Sequence, residues 1–201
     1  MEDLFLVVGL GNPGSEYAET RHNIGFKAVE RFGSRHGARW AEESRFRARV
    51  AKFEWDGRRL MLCEPVTFMN SSGTAVRAVA DYFKIDLGRL LVVLDDADLP
   101  FGAQRLRSAG GTGGHHGLES IEQALGTQTY ARLRLGIGRA NGQREITGHV
   151  LGAFDADERA VLNAVLDRTA EQIECWVTAG IQKAMNEFNG GTDSADAKEA
   201  E

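Results

Sequence analysis

His22 lies in the polar stretch Tyr17-Ala18-Glu19-Thr20-Arg21-His22-Asn23-Ile24-Gly25, between a Gly-Asn-Pro-Gly turn and an amphipathic run. A histidine in that setting takes up a proton near neutral pH, and its neighbours are not the apolar ones of a core histidine. It is the expected general base of a hydrolase. Asp95 directly follows the apolar run Leu90–Leu94. A carboxylate at a strand end could accept a hydrogen bond from one ring nitrogen of His22, fixing its tautomer and stabilising the imidazolium formed on proton abstraction. The bland reading of Asp95, Asp96 and Asp98 is a polar turn. No Gly-x-Ser-x-Gly elbow supplies a serine nucleophile, and Cys63 sits in an apolar strand that reads as core. Water is the nucleophile left.

Asn12 falls in Gly9-Leu10-Gly11-Asn12-Pro13-Gly14, after the apolar run Leu4–Val8. The glycines formally match a dinucleotide-binding loop, but that loop opens straight into a helix, and here the polar Ser15–Asn23 intervenes. What remains is a tight turn that presents Asn12 at a strand's carboxyl end, where open α/β sheets bind ligands. Asn70, in Thr67-Phe68-Met69-Asn70, has an amide that can donate to a carbonyl and accept from an amide. Helix capping is an equal alternative for it. Phe68 and Met69 either wall a cleft or pack in the core.

The stretch Gly110-Gly111-Thr112-Gly113-Gly114-His115-His116-Gly117 lets backbone N–H groups approach an anion closely. Arg105, Arg107, Arg132 and Arg134 would suit a phosphate there. Adjacent His115 and His116 raise a metal reading with Asp95, but no HxxxH or HExxH spacing supports it. Phosphate or substrate contact ranks above a metal.

The elements that must position these groups follow from periodicity. Leu4–Val8 and Leu90–Leu94 read as buried strands. Phe46–Phe53 and Arg59–Cys63 alternate and are joined by Asp56-Gly57, a hairpin signal. Ala103–Arg107 and Arg132–Ile137 are further strands. Helices are expected over Ile24–His36, from about Thr74 to Phe83 with Ser71 or Ser72 as N-cap, and over Leu118–Leu125. Asp155 caps a long helical region that starts near Asp157, breaks near Gly180 and ends by Asn189. The whole reads as α/β: one domain over 1–189, with a twisted, mixed, largely parallel sheet, one antiparallel hairpin, flanking helices and a C-terminal helical region. Residues 190–201 are small and acidic and read as a disordered tail.

A chain of 201 residues is long enough for one well-buried core and short for two. Its net charge of −5 argues against a generic nucleic-acid binder. The six arginines between Gln104 and Arg144, against only Glu119 and Glu122, point instead to a local anionic partner or to a solvated surface. The apolar runs are strand-sized, Met1-Glu2-Asp3 lacks a basic leader, and Cys63 and Cys175 form no CxxC. A cytoplasmic, reducing setting without membrane attachment fits.

Gly9-Leu10-Gly11-Asn12-Pro13-Gly14, Tyr17-x-x-Thr20-Arg21-His22-Asn23-x-Gly25, Thr67-Phe68-Met69-Asn70 and Asp95-x-x-Asp98-Leu99-Pro100 together resemble the bacterial peptidyl-tRNA hydrolases. The resemblance runs from about Leu4 to Asn189. It implies a single α/β domain, acting as a cytoplasmic monomer without metal or cofactor, that cleaves the ester between peptide and tRNA ribose. It also implies His22 as catalytic base and Asp95 as the carboxylate that orients it. Asn12, Tyr17, Phe68, Asn70 and His116 fall at substrate-binding positions, and Arg107 and Arg134 at positions that clamp tRNA phosphate. The chain departs from the family at His116, where His-Asn-Gly is usual, and at Glu119, where a basic residue is usual. An altered rate or affinity is expected from these departures. The alternative is a non-catalytic RNA-binding relative of the same fold.

Overall fold

A computed structural model describes residues 4–139 and 146–191. Seven strands form one sheet: β1 (Leu4–Gly9), β2 (Trp40–Glu43), β3 (Ala48–Trp55), β4 (Arg58–Pro65), β5 (Leu90–Asp96), β6 (Gln104–Arg107) and β7 (Ala131–Gly136). Their order is β2-β3-β4-β1-β5-β7-β6. The central β4, β1, β5 and β7 are parallel, whereas β2, β3 and β6 run antiparallel to their neighbours. Antiparallel pairing therefore occupies both edges, which is more than the one expected hairpin.

The helices are α1 (Ile24–Arg35), α2 (Ser72–Phe83), α3 (His116–Leu125), α4 (Ile146–Val150), α5 (Ala156–Ala179) and α6 (Ile181–Phe188). Strand side chains alternate between two cores. Val7, Leu60, Leu62, Leu91 and Val93 pack with Ile24, Phe32, Ile173 and Trp176 of α1 and α5. Leu6, Val8, Met61, Cys63, Val92 and Leu94 pack with Val76, Val79, Leu118 and Ile121 of α2 and α3. Both faces are covered, so the central strands are apolar throughout rather than alternating. Among the described residues no helix is long and apolar enough to cross a membrane.

The hairpin turn carries Asp56 at φ 50° and Gly57 at φ 68°, the pair of positive values that a two-residue turn between twisted strands requires. Its first strand begins at Ala48, because Phe46 belongs to a 3₁₀ turn closed by left-handed Arg47. Strand β2 and helix α4 were not expected; both are short, and β2 is half polar at the sheet edge. Ser71 occupies the position before α2, but its side chain caps nothing, and the Ser72 hydroxyl is buried without a partner. Asp155 does cap α5, in a box where its carboxylate accepts from Glu158 N–H and Glu158 accepts from Asp155 N–H. Asn189–Gly191 forms a last 3₁₀ turn; from 192 onward the expected acidic tail lies outside the described residues, as does Arg144.

Candidate active site

Parallel strands bring their carboxyl ends to one rim, and the chain leaves that rim through the segments that carry polar groups. Asn12 follows β1, Phe68–Asn70 follow β4, and Asp95 and Asp96 end β5. His115 and His116 open α3, whose N-terminus reaches the same rim. These residues line one cleft of about 550 Å³, together with His22, Met69, Ala97, Asp98, Arg134, Arg139, Thr147, Val150 and Leu151.

His22 sits in a 3₁₀ turn, Arg21–Asn23, that runs directly into α1. The approach is close because Gly25 faces main chain: a Cβ there would lie 2.5 Å from the carbonyl oxygens of both Leu10 and Val93. His22 is 9% exposed, more buried than its polar sequence context suggested. Its Nδ1 lies 2.9 Å from both Asp95 oxygens. An ionised carboxylate only accepts, so Nδ1 carries a proton, and in the neutral ring Nε2 keeps the lone pair. Arg21 anchors the turn from behind, donating to both oxygens of Glu158 at 3.0 and 2.6 Å.

Asp95 takes the next position on the face occupied by Leu91 and Val93, and it is buried. Burial alone pushes its carboxyl up, but the electrostatic pull and hydrogen bonds of the ring N–H groups of His115 and then of His22 outweigh it and hold Asp95 well below the usual carboxylate range. His22, Asp95 and His115 offer ligand atoms within 4.8 Å of one another. As placed they do not suit a cation, because His115 Nδ1 accepts from Gly117 N–H and Leu118 N–H. A neutral ring whose Nδ1 accepts bears its proton on Nε2, the nitrogen that would have to ligate.

Asn12 is buried and fixed by three hydrogen bonds. Its N–H donates to Asn23 Oδ1, Asn23 Nδ2 donates to its carbonyl, and its own Oδ1 accepts from Met69 N–H at 2.8 Å. The amide thereby keeps Nδ2 as its donor on the cleft wall. Asn70 is exposed beside it, and Phe68 is 62% exposed, an apolar side chain held open to solvent. His116 is exposed and turned to Glu119, with Nδ1 3.0 Å from Oε2. Arg134 Nε pairs with Asp96 at 2.9 Å. Arg132, expected beside the phosphate group, is buried instead, donating to the carbonyls of Gly110, Gly111 and Gln128 and so strapping down the glycine-rich loop.

Of the sequence-expected residues, Asn12, His22, Phe68, Asn70, Asp95, His116 and Arg134 share the cleft, whereas Tyr17 and Arg107 stand outside its wall. Tyr17 is half-buried and its carbonyl accepts from the Thr20 hydroxyl; Arg107 is exposed at the end of β6. The sequence alone does not single out Asn23, places Asp96 in a polar turn, and offers His115 only as a metal ligand or as part of an anion-binding loop. A polar residue just before a helix is the signal His115 offered; nothing local marks Asn23 or Asp96. Cys63 is buried, and burial pushes its thiol up, away from the thiolate a nucleophile needs.

The family model for peptidyl-tRNA hydrolase matches residues 6–198. A peptidyl-tRNA hydrolase of Synechococcus sp. is 50% identical over 187 residues, covering 92% of this chain and 83% of that protein. One of Syntrophomonas wolfei is 47% identical over 184 residues, covering 92% and 99%. The crystal structure of peptidyl-tRNA hydrolase from Acinetobacter baumannii superposes with a TM-score of 0.88 at 34% identity, covering 94% of this chain and 96% of that one. The chain belongs to the peptidyl-tRNA hydrolase family.

Proposed function

We propose that this protein hydrolyses the ester between the carboxyl end of a peptide and the ribose of tRNA. The observation that carries the mechanism is the seating of His22 Nδ1 between both oxygens of Asp95, which leaves Nε2 as a lone pair beside the cleft. Water gives its proton to Nε2 as its oxygen attacks the ester carbonyl. The tetrahedral adduct collapses, the C–O bond to ribose breaks, and the ribose oxygen takes the proton. Peptide acid and tRNA leave. Asp95 stays ionised and stabilises the imidazolium in between.

Asn12 Nδ2 and the Asn70 amide are donors suited to the peptide and the reacting carbonyl, and Phe68 offers apolar surface for the peptide. His116 contributes one hydrogen bond where an amide is usual. Arg134, with Arg107 outside the cleft, meets tRNA phosphate. Tyr17 supports the loop before the base. All these residues come from one chain, and we read the protein as a monomer, working in the cytoplasm where its substrate arises and needing no metal.

The test is release of N-acetyl amino acid from N-acetyl-aminoacyl-tRNA in the presence of chelator. His22→Ala should lose roughly 10²–10⁴ in rate. Near-parental turnover by that variant removes His22 from the mechanism, and tRNA binding without any release by the parent favours the non-catalytic alternative.

A further inference from the structure

His115 is the one histidine of the cleft whose both ring nitrogens are engaged by groups that fix the ring's protons. It is the N-cap residue of α3, with extended backbone at φ −79° and ψ 109°. Its Nδ1 accepts from Gly117 N–H at 3.1 Å and from Leu118 N–H at 3.4 Å, the bonds usually taken by a serine or aspartate oxygen. Two donors converging on Nδ1 require a lone pair there. The ring proton therefore sits on Nε2, which lies 2.9 Å from Asp95 Oδ1. Gly117 lets three side chains pack close, since a Cβ there would lie 2.5 Å from Met69 Sδ, 2.8 Å from Leu10 Cδ1 and 3.0 Å from His115 Cε1. The ring centroids of His115 and His22 are 5.2 Å apart.

We propose that His115 is a positioning residue for the reaction: the N-terminus of α3 locks its tautomer, and its Nε2–H holds the Asp95 carboxylate with both oxygens turned to His22 Nδ1. A carboxylate bonded only to His22 could rotate about its Cβ–Cγ bond and offer one oxygen. The second donor stops that rotation. It also spends one lone pair of Oδ1 on a group that does not change its protonation during the cycle, so the negative charge is present each time His22 takes a proton. The glycine-rich loop is tied to this arrangement through Arg132, which fixes Gly110 and Gly111 just before the cap. The role rests on His22 as base, but the tautomer can be read without turnover.

Long-range ¹H–¹⁵N spectra of the histidine rings in the full chain should place the His115 proton on Nε2 and leave Nδ1 bare. His115→Asn retains a good helix cap but is too short to reach Asp95, so kcat should fall about 10- to 100-fold, the equivalent of one charge-assisted hydrogen bond, with KM and melting temperature near the parent's. His115→Gln, whose amide N–H reaches about as far as Nε2, should recover part of that loss. A proton on His115 Nδ1, or parental kcat in a folded His115→Asn, overturns the proposal. Should His115→Asn fail to fold, the spectrum and the Gln variant decide it. A parent without hydrolytic activity would count against the hydrolase reading, while the spectrum would still judge the lock.

Discussion

Asn23 grips the main chain of Asn12 from both sides, accepting from its N–H and donating to its carbonyl, each at 2.9 Å. With Asn12 Oδ1 taken by Met69 N–H, the cleft meets only the NH₂ end of the amide. Asn12→Asp keeps the bond from Met69 N–H and puts an acceptor where the donor was. A fall of at least about tenfold in kcat/KM is expected, one hydrogen bond having been replaced by a repulsion. Steady-state kinetics on N-acetyl-aminoacyl-tRNA measure it, and parental kcat/KM would mean Asn12 does not touch substrate.

Phosphate contacts carry a salt signature. Arg107 is exposed, so Arg107→Ala should lower the slope of log affinity against log salt by about one unit, with little change in fold stability. If Arg134 meets phosphate as proposed, Arg134→Ala should cost affinity beyond its share of the slope, because Asp96 loses its cation and stays buried beside the proposed phosphate site. Fluorescence anisotropy with labelled tRNA across a salt series measures both, and an unchanged slope in the Arg107 variant excludes that contact.

Glu64, at the end of β4, is buried against Arg49, 2.7 Å from one of its carboxyl oxygens, and the other oxygen has no partner. Burial, with Glu30 nearby, raises its carboxyl to about 8 despite the opposing charge of Arg49. The folded form then holds a proton that the unfolded chain releases near 4.3. Stability should therefore fall as pH rises between those values, by up to about 1.4 kcal/mol per pH unit, and level off above 8. Glu64→Gln should flatten that slope in melts at pH 5.5 and 8; an equally steep slope would assign the protonation elsewhere.

Gly25 tests how His22 is placed. A methyl group there meets the carbonyl oxygens of Leu10 and Val93, both main chain and unable to swing aside. Gly25→Ala should cost about 1–3 kcal/mol by overpacking, and α1 should ride away from the sheet with His22 at its head. Activity should fall more than stability does, read by comparing kcat/KM with the shift in melting temperature. Parental values for both would show that the helix yields without moving the base.

The apolar runs of β1 and β5 were legible because strands covered on both faces have no polar positions, and Asp56-Gly57 was legible because its turn demands positive φ. The contact between His22 and Asp95 was also anticipated, since a strand end and a turn before a helix share a rim in this class of fold. What escaped the sequence was reciprocity. Asn23 and Asn12 are bonded across 11 positions and His115 and Asp95 across 20, separations over which no periodicity operates. Arg132 escaped for another reason: one arginine among six looks like any other until its burial shows that it holds carbonyls rather than phosphate.

The carboxylate of Glu158 is bonded at once to Arg21, one residue before His22, and to the backbone N–H of Asp155, the N-cap of α5. In order of synthesis this places the clamp last. A growing chain has made Asn12, His22, Asp95 and His115, and all seven strands, before Glu158 exists. A chain cut after β7 would retain the entire sheet and leave Arg21 reaching for a partner that was never made. The proposed catalytic geometry thus draws on residues from Asn12 to Glu158, and is completed only once the start of α5 has been translated.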